Sequence, residues 1–286
     1  MKHDSINCIE VSHLNKDFGT FSLKDVSFSL PRGSIMGFIG ENGAGKTTTI
    51  RCILNLISRD GGEIRLFGRD NIRDEKDVKE DIGVVLDESY FHDNLTTKDI
   101  SRIMGSIYKN WDDGFFRSLN ARFSLPENKI VKDFSKGMKM KLNIAVALAH
   151  HPKLLILDEA TSGLDPIVRS EILDLFLEFI QEEDHSVLLS SHITSDLEKI
   201  ADYITFIHDG RIVFSEQTDE LRYRYGILRT KQDEFQLVDK EDMIGYRKNQ
   251  FGYEILVANR EATRRKYPQM VIDSTNLEEI MLYMSK

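Results

Sequence analysis

The eight residues Gly40-Glu41-Asn42-Gly43-Ala44-Gly45-Lys46-Thr47 carry the spacing G-x-x-x-x-G-K-[ST], a pattern whose chemistry is phosphate binding. The glycines let successive backbone N–H groups converge on phosphate oxygens, and a helix opening near Lys46 turns its positive end toward them. Lys46 brings a full charge to the β and γ phosphates of a nucleoside triphosphate. The Thr47 hydroxyl is the natural ligand for Mg²⁺, and Thr48 closes the binding segment. A second cluster, Leu154-Leu155-Ile156-Leu157-Asp158-Glu159, is an apolar run ending in two acids. Asp158 would stand at a strand's C-terminal end, where ligands gather in open α/β sheets, and could orient Mg²⁺ through water. Glu159 is placed to polarise an attacking water. An apolar strand ending in two acids is common, so this pair gains meaning only from what surrounds it.

The elements that must hold these residues can be read from periodicity. Ser34 to Ile39 reads as a buried strand feeding the glycine-rich loop, and Lys46 to Ile57 has helical spacing through Ile50, Ile53, Leu54 and Ile57. The phosphate motif therefore lies in the strand–loop–helix context its chemistry requires. Before it, Ile6 to Leu14 and Phe21 to Leu30 read as antiparallel strands closed by a Pro31-Arg32-Gly33 turn. After it come a turn at Asp60 to Gly62, a strand at Glu63 to Phe67 and another at Asp81 to Leu86. From Leu95 to His151 the pattern becomes mostly helical, with Trp111, Phe115, Phe116 and Phe123 as core aromatics. Leu154 to Leu157 and Val187 to Leu189 flank a helix at Val168 to Ile180, the βαβ rhythm of a parallel sheet. Tyr203 to His208 and Arg211 to Ser215 form a hairpin around Asp209-Gly210. Beyond about Glu216 the texture changes: residues 233–258 alternate like strands around a turn at Asn249 to Gly252, and Thr275 to Met284 reads as a helix opened by a Thr275-x-x-Glu278 capping box. The expected division is a body over 1–216, with a helical insertion over about 88–151, and a small α/β appendage over 217–286.

Composition limits the classes of function. No run of about 18 apolar residues exists, so the chain is not expected to form a pore. Met1 to Glu10 lacks a basic start followed by an apolar block and does not read as a signal peptide. Cys8 and Cys52 lack metal-ligand spacing and fit a reducing compartment, with inert thiols expected. Residues 217–286 hold 12 basic and 12 acidic groups, so the whole net charge of −9 lies in residues 1–216. That sign disfavours a general nucleic-acid surface.

Further segments give the motifs a family resemblance. Leu157-Asp158-Glu159-Ala160-Thr161-Ser162-Gly163-Leu164-Asp165-Pro166 resembles the joined Walker B motif and D-loop of ABC ATPases. Phe134-Ser135-Lys136-Gly137-Met138 stands where that family keeps its LSGGQ signature. His192 resembles the switch histidine, and Phe18-Gly19 the aromatic A-loop that stacks on adenine. The order is the family's over roughly residues 4–220. The resemblance implies an ABC cassette with a parallel core sheet, an antiparallel β subdomain and a helical subdomain. It implies ATP and Mg²⁺ as cofactors, Glu159 and His192 as catalytic residues, and Thr47, Asp158 and Asp87 around the metal. It also implies that the signature of one cassette closes over the nucleotide of another. Ser135 has a physical rationale of its own, as the N-cap of a helix running through Leu142, Ala145, Val146 and Ala149, whose positive end suits a phosphate.

Four residues depart from the pattern. Asp87 occupies the Q-loop position usually held by Gln, and an ionised carboxylate cannot donate a hydrogen bond. Lys136 and Met138 replace the first Gly and the Gln of the signature, and Ala160 replaces a frequent Pro. The Ser-Lys-Gly-Met form resembles the ABC-2 or bacitracin-type branch, which implies export of a peptide-like or amphipathic compound through a separate membrane permease. The permease contact is expected near Tyr90, Phe91, His92 and Leu95, with internal packing as the competing reading for those residues. The location implied is the cytoplasmic face of the membrane, bound peripherally through the permease. The alternative is a soluble ABC ATPase acting on ribosomes or DNA; a single cassette without sustained heptads and with an acidic body disfavours it. A P-loop kinase would have no need for Ser135 to Met138 or Ser162 to Asp165.

Overall fold

The computed structural model describes residues 7–86 and 91–285. In chain order the elements are β1 (Asn7–Asp17), β2 (Ser22–Pro31), β3 (Ile35–Ile39), α1 (Lys46–Ile53), β4 (Gly61–Leu66), β5 (Arg69–Asp70), α2 (Glu75–Lys79) and β6 (Ile82–Val85). They continue with α3 (Thr97–Ile107), α4 (Asp113–Arg122), α5 (Lys136–Leu148), β7 (Leu154–Asp158), α6 (Pro166–Phe179), β8 (Ser186–Ser191), α7 (Thr194–Ile200), β9 (Tyr203–His208) and β10 (Arg211–Gln217). The last stretch holds α8 (Thr218–Arg224), β11 (Gly226–Thr230), β12 (Gly245–Lys248), β13 (Tyr253–Val257), α9 (Arg260–Lys266), β14 (Val271–Ser274) and α10 (Leu277–Met284).

The central sheet has six strands in the order β10-β9-β3-β8-β7-β6, parallel except for the β9–β10 hairpin. Its middle strands are buried along their whole length, as strands covered on both faces must be. One face packs against α1 and the antiparallel sheet β2-β1-β4-β5 through Leu14, Leu23, Met36, Phe38, Ile50 and Ile156. The other packs against the helices through residues such as Ile35, Leu142, Leu157, Phe176 and Leu189. Cys8 and Cys52 lie in the first of these cores; burial pushes their thiols up to about 12 and about 11, so they are inert as nucleophiles.

Local chemistry sets where the helices begin. Thr96 and Asp99 form a reciprocal capping box on α3, Asp112 accepts from the Phe115 N–H at the start of α4, and Asp165 caps α6 with Pro166 in the first turn. Phe116 and Phe123 are buried as expected, while Trp111 and Phe115 pack partly exposed against the same core.

Three local expectations are corrected. The helix after the phosphate loop ends at Ile53 and gives way to a turn through Asn55, which adopts φ +53°, so Ile57 is not helical. Residues 233–242 hold turns and short 3₁₀ segments, and strand structure resumes only at Gly245. The last helix is capped one residue later than expected: Asn276 accepts from the Glu279 N–H and Glu279 reaches back to the Asn276 N–H. Thr275 instead donates its hydroxyl to Glu279, so the box is Asn276-x-x-Glu279.

The third sheet, β12-β13-β11-β14, is antiparallel and belongs to the last 60 or so residues. One of its faces closes a small core around Leu228, Ile255, Val257 and Tyr267. Leu277, Ile280 and Tyr283 of α10, with Ile227 and Leu256, join the main core beside α7. The Leu277 N–H also donates to Glu198 Oε1 of α7 at 2.6 Å. No helix among the described residues is long and apolar enough to cross a membrane.

Candidate active site

The phosphate loop leaves the C-terminal end of β3 and enters α1 with Gly45 at φ +117°, a conformation that L side chains rarely adopt. Its packing is as demanding as its backbone. A side chain at Gly40 would meet the Ile207 carbonyl at 2.4 Å, and one at Gly45 would meet Leu23 at 2.7 Å. The loop is thus pressed between β9 and β2. Glu41, Asn42 and Gly43 face outward, Ala44 and Gly45 are buried, and Thr47 and Thr48 are half-buried at the helix start. Gly210, at the tip of the β9–β10 hairpin, donates to the Ala44 carbonyl at 3.0 Å and accepts from the Lys24 N–H at 2.8 Å.

Lys46 is 5% exposed and bends back over its own loop, donating to the carbonyls of Gly40 at 2.8 Å and Glu41 at 3.3 Å. Its ammonium also lies 3.4 Å from Glu159 Oε1. The other oxygen of Glu159 lies 2.7 Å from His192 Nδ1, so the carboxylate sits between a lysine ammonium and an imidazole. Glu159 is not part of β7: at φ +55° the backbone turns sharply out of the strand, and its N–H is shared between the Ser190 carbonyl and hydroxyl. A left-handed non-glycine residue costs about 1 kcal/mol or more and persists where its surroundings fix it.

Asp158, 3% exposed, ends β7 opposite Ser190 of β8 and accepts that serine's hydroxyl. Ser190 therefore fixes both acids, one through its hydroxyl and the next through its carbonyl. Sequence reading passed over it; the signal was the pair Ser190-Ser191 at the end of an apolar strand that leads directly to His192. The donor set around Asp158 suits Mg²⁺, whose preferred ligands are oxygens and retained waters. The Thr47 hydroxyl and the Asp158 carboxylate would hold it beside the phosphates. Among the described residues no group of three or more His, Cys, Asp or Glu could hold a metal ion.

The other expected residues stand apart from this centre. Phe18 is 51% exposed in the β1–β2 turn, with Lys16 Nζ 5.4 Å from its ring, leaving a free aromatic face. Ser135 caps α5 by accepting from the Met138 N–H at 3.2 Å, as expected, with Ser135 and Lys136 exposed and Gly137 lying against Val168 of α6. Among the described residues, no hydrogen bond or ion pair joins Ser135, Lys136, Gly137 or Met138 to Lys46, Asp158, Glu159 or His192. Asp87 and Tyr90 lie outside the described residues. Phe91 and Leu95 are half-buried against the main core and His92 is exposed.

A glycine-rich phosphate loop between a parallel strand and a helix, with acids at the end of a nearby parallel strand, defines a P-loop nucleoside triphosphatase. Comparison with known proteins narrows the class. The family model described as ABC transporter matches residues 23–162. The bacitracin transport ATP-binding protein BcrA of Bacillus licheniformis is 34% identical, the match covering 92% of this chain and 85% of that protein. The lantibiotic transport ATP-binding protein SrtF of Streptococcus pyogenes is also 34% identical, over 74% of this chain and 91% of that one. A solved ATP-binding subunit of an ABC transporter superposes with a TM-score of 0.68 at 27% identity, over 75% of this chain and 92% of that chain. The chain belongs to the ABC transporter family, as an ATP-binding and ATP-hydrolysing subunit.

Proposed function

We propose that this subunit powers a separate membrane permease that exports a peptide-like or amphipathic compound, working as a pair of cassettes at the cytoplasmic face of the membrane. The observation that carries the mechanism is the Glu159 carboxylate held between Lys46 and His192. In this reading Lys46 offsets charge on the β and γ phosphates, and the backbone N–H groups of residues 40–48 cradle them. Glu159 accepts a hydrogen bond from the attacking water and aligns it with the γ-phosphorus, while His192 holds the carboxylate from its other side. Mg²⁺, once bound, neutralises phosphate charge; Thr47 and Asp158 orient it. Phe18 stacks on the adenine, and Asp87 relays the state of the nucleotide to the permease.

The names of the relatives support the choice of substrate: BcrA and SrtF are bacitracin and lantibiotic transport proteins. The permease contact is supported by a groove of about 230 Å³ between β6 and the helical insertion, lined by Val84, Leu86, Phe91, Met104, Tyr108 and Asn143. Val84 is 37% exposed although it sits in a strand of the main sheet, and Asn143 Oδ1 is buried without a hydrogen bond. An apolar helix end that brings one hydrogen-bond donor fits both features. Residues 217–286 are proposed as an appended unit that braces the body of the cassette.

The test is Glu159→Gln. The amide keeps the shape of the side chain and loses the charge that orients water, so hydrolysis should fall by about 10² or more. Bound ATP then persists and should join the Lys46 loop of one copy to Ser135 and Gly137 of another, an association favoured by mass action. Light scattering should find a dimer of the Glu159→Gln protein with Mg-ATP and a monomer without it, and adding Ser135→Arg should abolish the dimer. An ATP-loaded variant that stays monomeric, alone and with the cassette encoded beside it, defeats the paired arrangement.

A further inference from the structure

Downstream of Glu159, the segment 160–165 runs into α6, and α6 carries Arg169. The Arg169 Nη2 donates to the Leu164 carbonyl at 3.2 Å, so the guanidinium holds the end of that segment from within the next helix. Its Nε faces Asp196 Oδ2 at 3.8 Å. Asp196 lies in the first turn of α7 and is 1% exposed. It follows His192 by four residues, with only Ile193 between the imidazole and the start of α7. Neither Arg169 Nε nor Asp196 Oδ2 has a hydrogen-bond partner, and both are buried.

A buried carboxylate with a free oxygen is costly, and removing its cation leaves an uncompensated charge. An ion pair worth keeping only for stability would be expected to close to hydrogen-bonding distance. This one stands at 3.8 Å, about 0.6 Å beyond that range, with one end on a loop carbonyl and the other in the first turn of α7, four residues after His192. α7 is seated firmly on the other side: a side chain at Gly37 of β3 would meet Leu197 at 2.9 Å. Movement of segment 160–165 therefore has a charged route to α7 that bypasses the sheet.

The geometry points to Arg169 and Asp196 as a positioning pair for hydrolysis. It ties the 160–165 segment to α7 and so fixes where His192 holds the Glu159 carboxylate. The inference rests on the roles proposed above for Glu159 and His192. Neither Arg169 nor Asp196 touches the nucleotide in this reading, so the pair governs turnover and leaves binding alone.

The experiment uses the full chain with three variants: Arg169→Met, Asp196→Asn, and the double variant Arg169→Met with Asp196→Leu, which replaces the buried pair by apolar groups. Mg-ATP affinity and stoichiometry are measured by calorimetry, and steady-state hydrolysis is counted per bound nucleotide so that unfolded protein does not enter the rate. Each single variant should bind with affinity within about twofold of the parent and turn over about tenfold more slowly, the scale on which such couplings act. The double variant should recover the parent's thermal midpoint, because an apolar pair removes the stranded charge, and should remain slow. Single variants at the parental rate overturn the proposal. So does a double variant that recovers its rate together with its midpoint, since the pair would then be packing alone. Glu159→Gln run in parallel separates the two readings: if it hydrolyses ATP normally the site assignment fails, and if it alone is inactive only the positioning pair fails.

Discussion

Among individual residues, Lys46 combines the strongest sequence signal with a buried position in the site. Its ammonium donates to two carbonyls and lies 3.4 Å from a carboxylate, and its charge is what a triphosphate would meet. Lys46→Ala should lower nucleotide affinity by about 10² or more, the range for losing one partner of a buried charged contact. Thr47→Ala should weaken binding with Mg²⁺ and leave metal-free binding nearly intact. Calorimetry with and without Mg²⁺ distinguishes the two, and unchanged affinity in Lys46→Ala removes that residue from its role. These positions were legible because phosphate chemistry leaves little freedom in residue type and spacing. Ser190 was not, because a serine at a strand end is common and its meaning comes from a residue 32 positions away. Arg169 and Asp196 were hidden for the same reason: an ion pair across two helices has no local spacing to announce it.

Among the elements, α5 and β6 meet at a titratable contact. His150, just beyond α5, is buried, with Nε2 3.1 Å from the Ile82 carbonyl and its ring stacked on Tyr108 at 4.0 Å. Burial pulls its pKa below the ordinary 6.5, against the smaller opposing influence of the Ile82 and Val146 carbonyls and of Glu80. Below pH 6.5 the unfolded chain therefore binds a proton that the folded chain resists, so stability falls as pH drops through that value toward the folded-state pKa. The carboxylates held low by their partners, such as Asp112 and Asp184, lose their contribution only at lower pH, below their ordinary 3.8. Thermal melting should thus weaken between pH 7.5 and 5.5. His150→Phe, which keeps the stack on Tyr108, should flatten that slope, and an equal slope in both proteins rules His150 out as its source. Element positions were readable where period and cap agree, as at Ser135. They failed at residues 233–242, where alternation did not bring pairing, and at the last helix, where Asn276 is a better cap than its neighbour Thr275.

In the whole molecule, the expected division after residue 216 falls one residue before the end of β10, yet the core does not divide there. Ile227, Leu256, Leu277, Ile280 and Tyr283 share a cluster with Phe176, Leu197 and Phe206. A chain ending at Glu216 should be much less stable than the parent, its midpoint lower by at least about 10 °C, given about 1.5–3 kcal/mol for each large side chain left unburied. A truncated protein with the parental midpoint would make the last 70 residues independent of the body. The change of texture was legible in charge and pattern. The shared core was not, since Leu277 and Ile280 read equally well as the apolar face of a free helix.

The Gly210 turn has a consequence in the time order of synthesis. The strand that presents the phosphate loop, β3, lies between β8 and β9, and the loop is then braced by a hydrogen bond to a turn about 160 residues further along the chain. A ribosome adding about 5–20 residues per second needs roughly 8–33 s to travel from Lys46 to Gly210. Through that interval the motif exists as sequence without its walls, and a long-range parallel sheet of this kind closes slowly once it can close. Nucleotide can therefore stabilise the finished cassette but cannot guide its early folding.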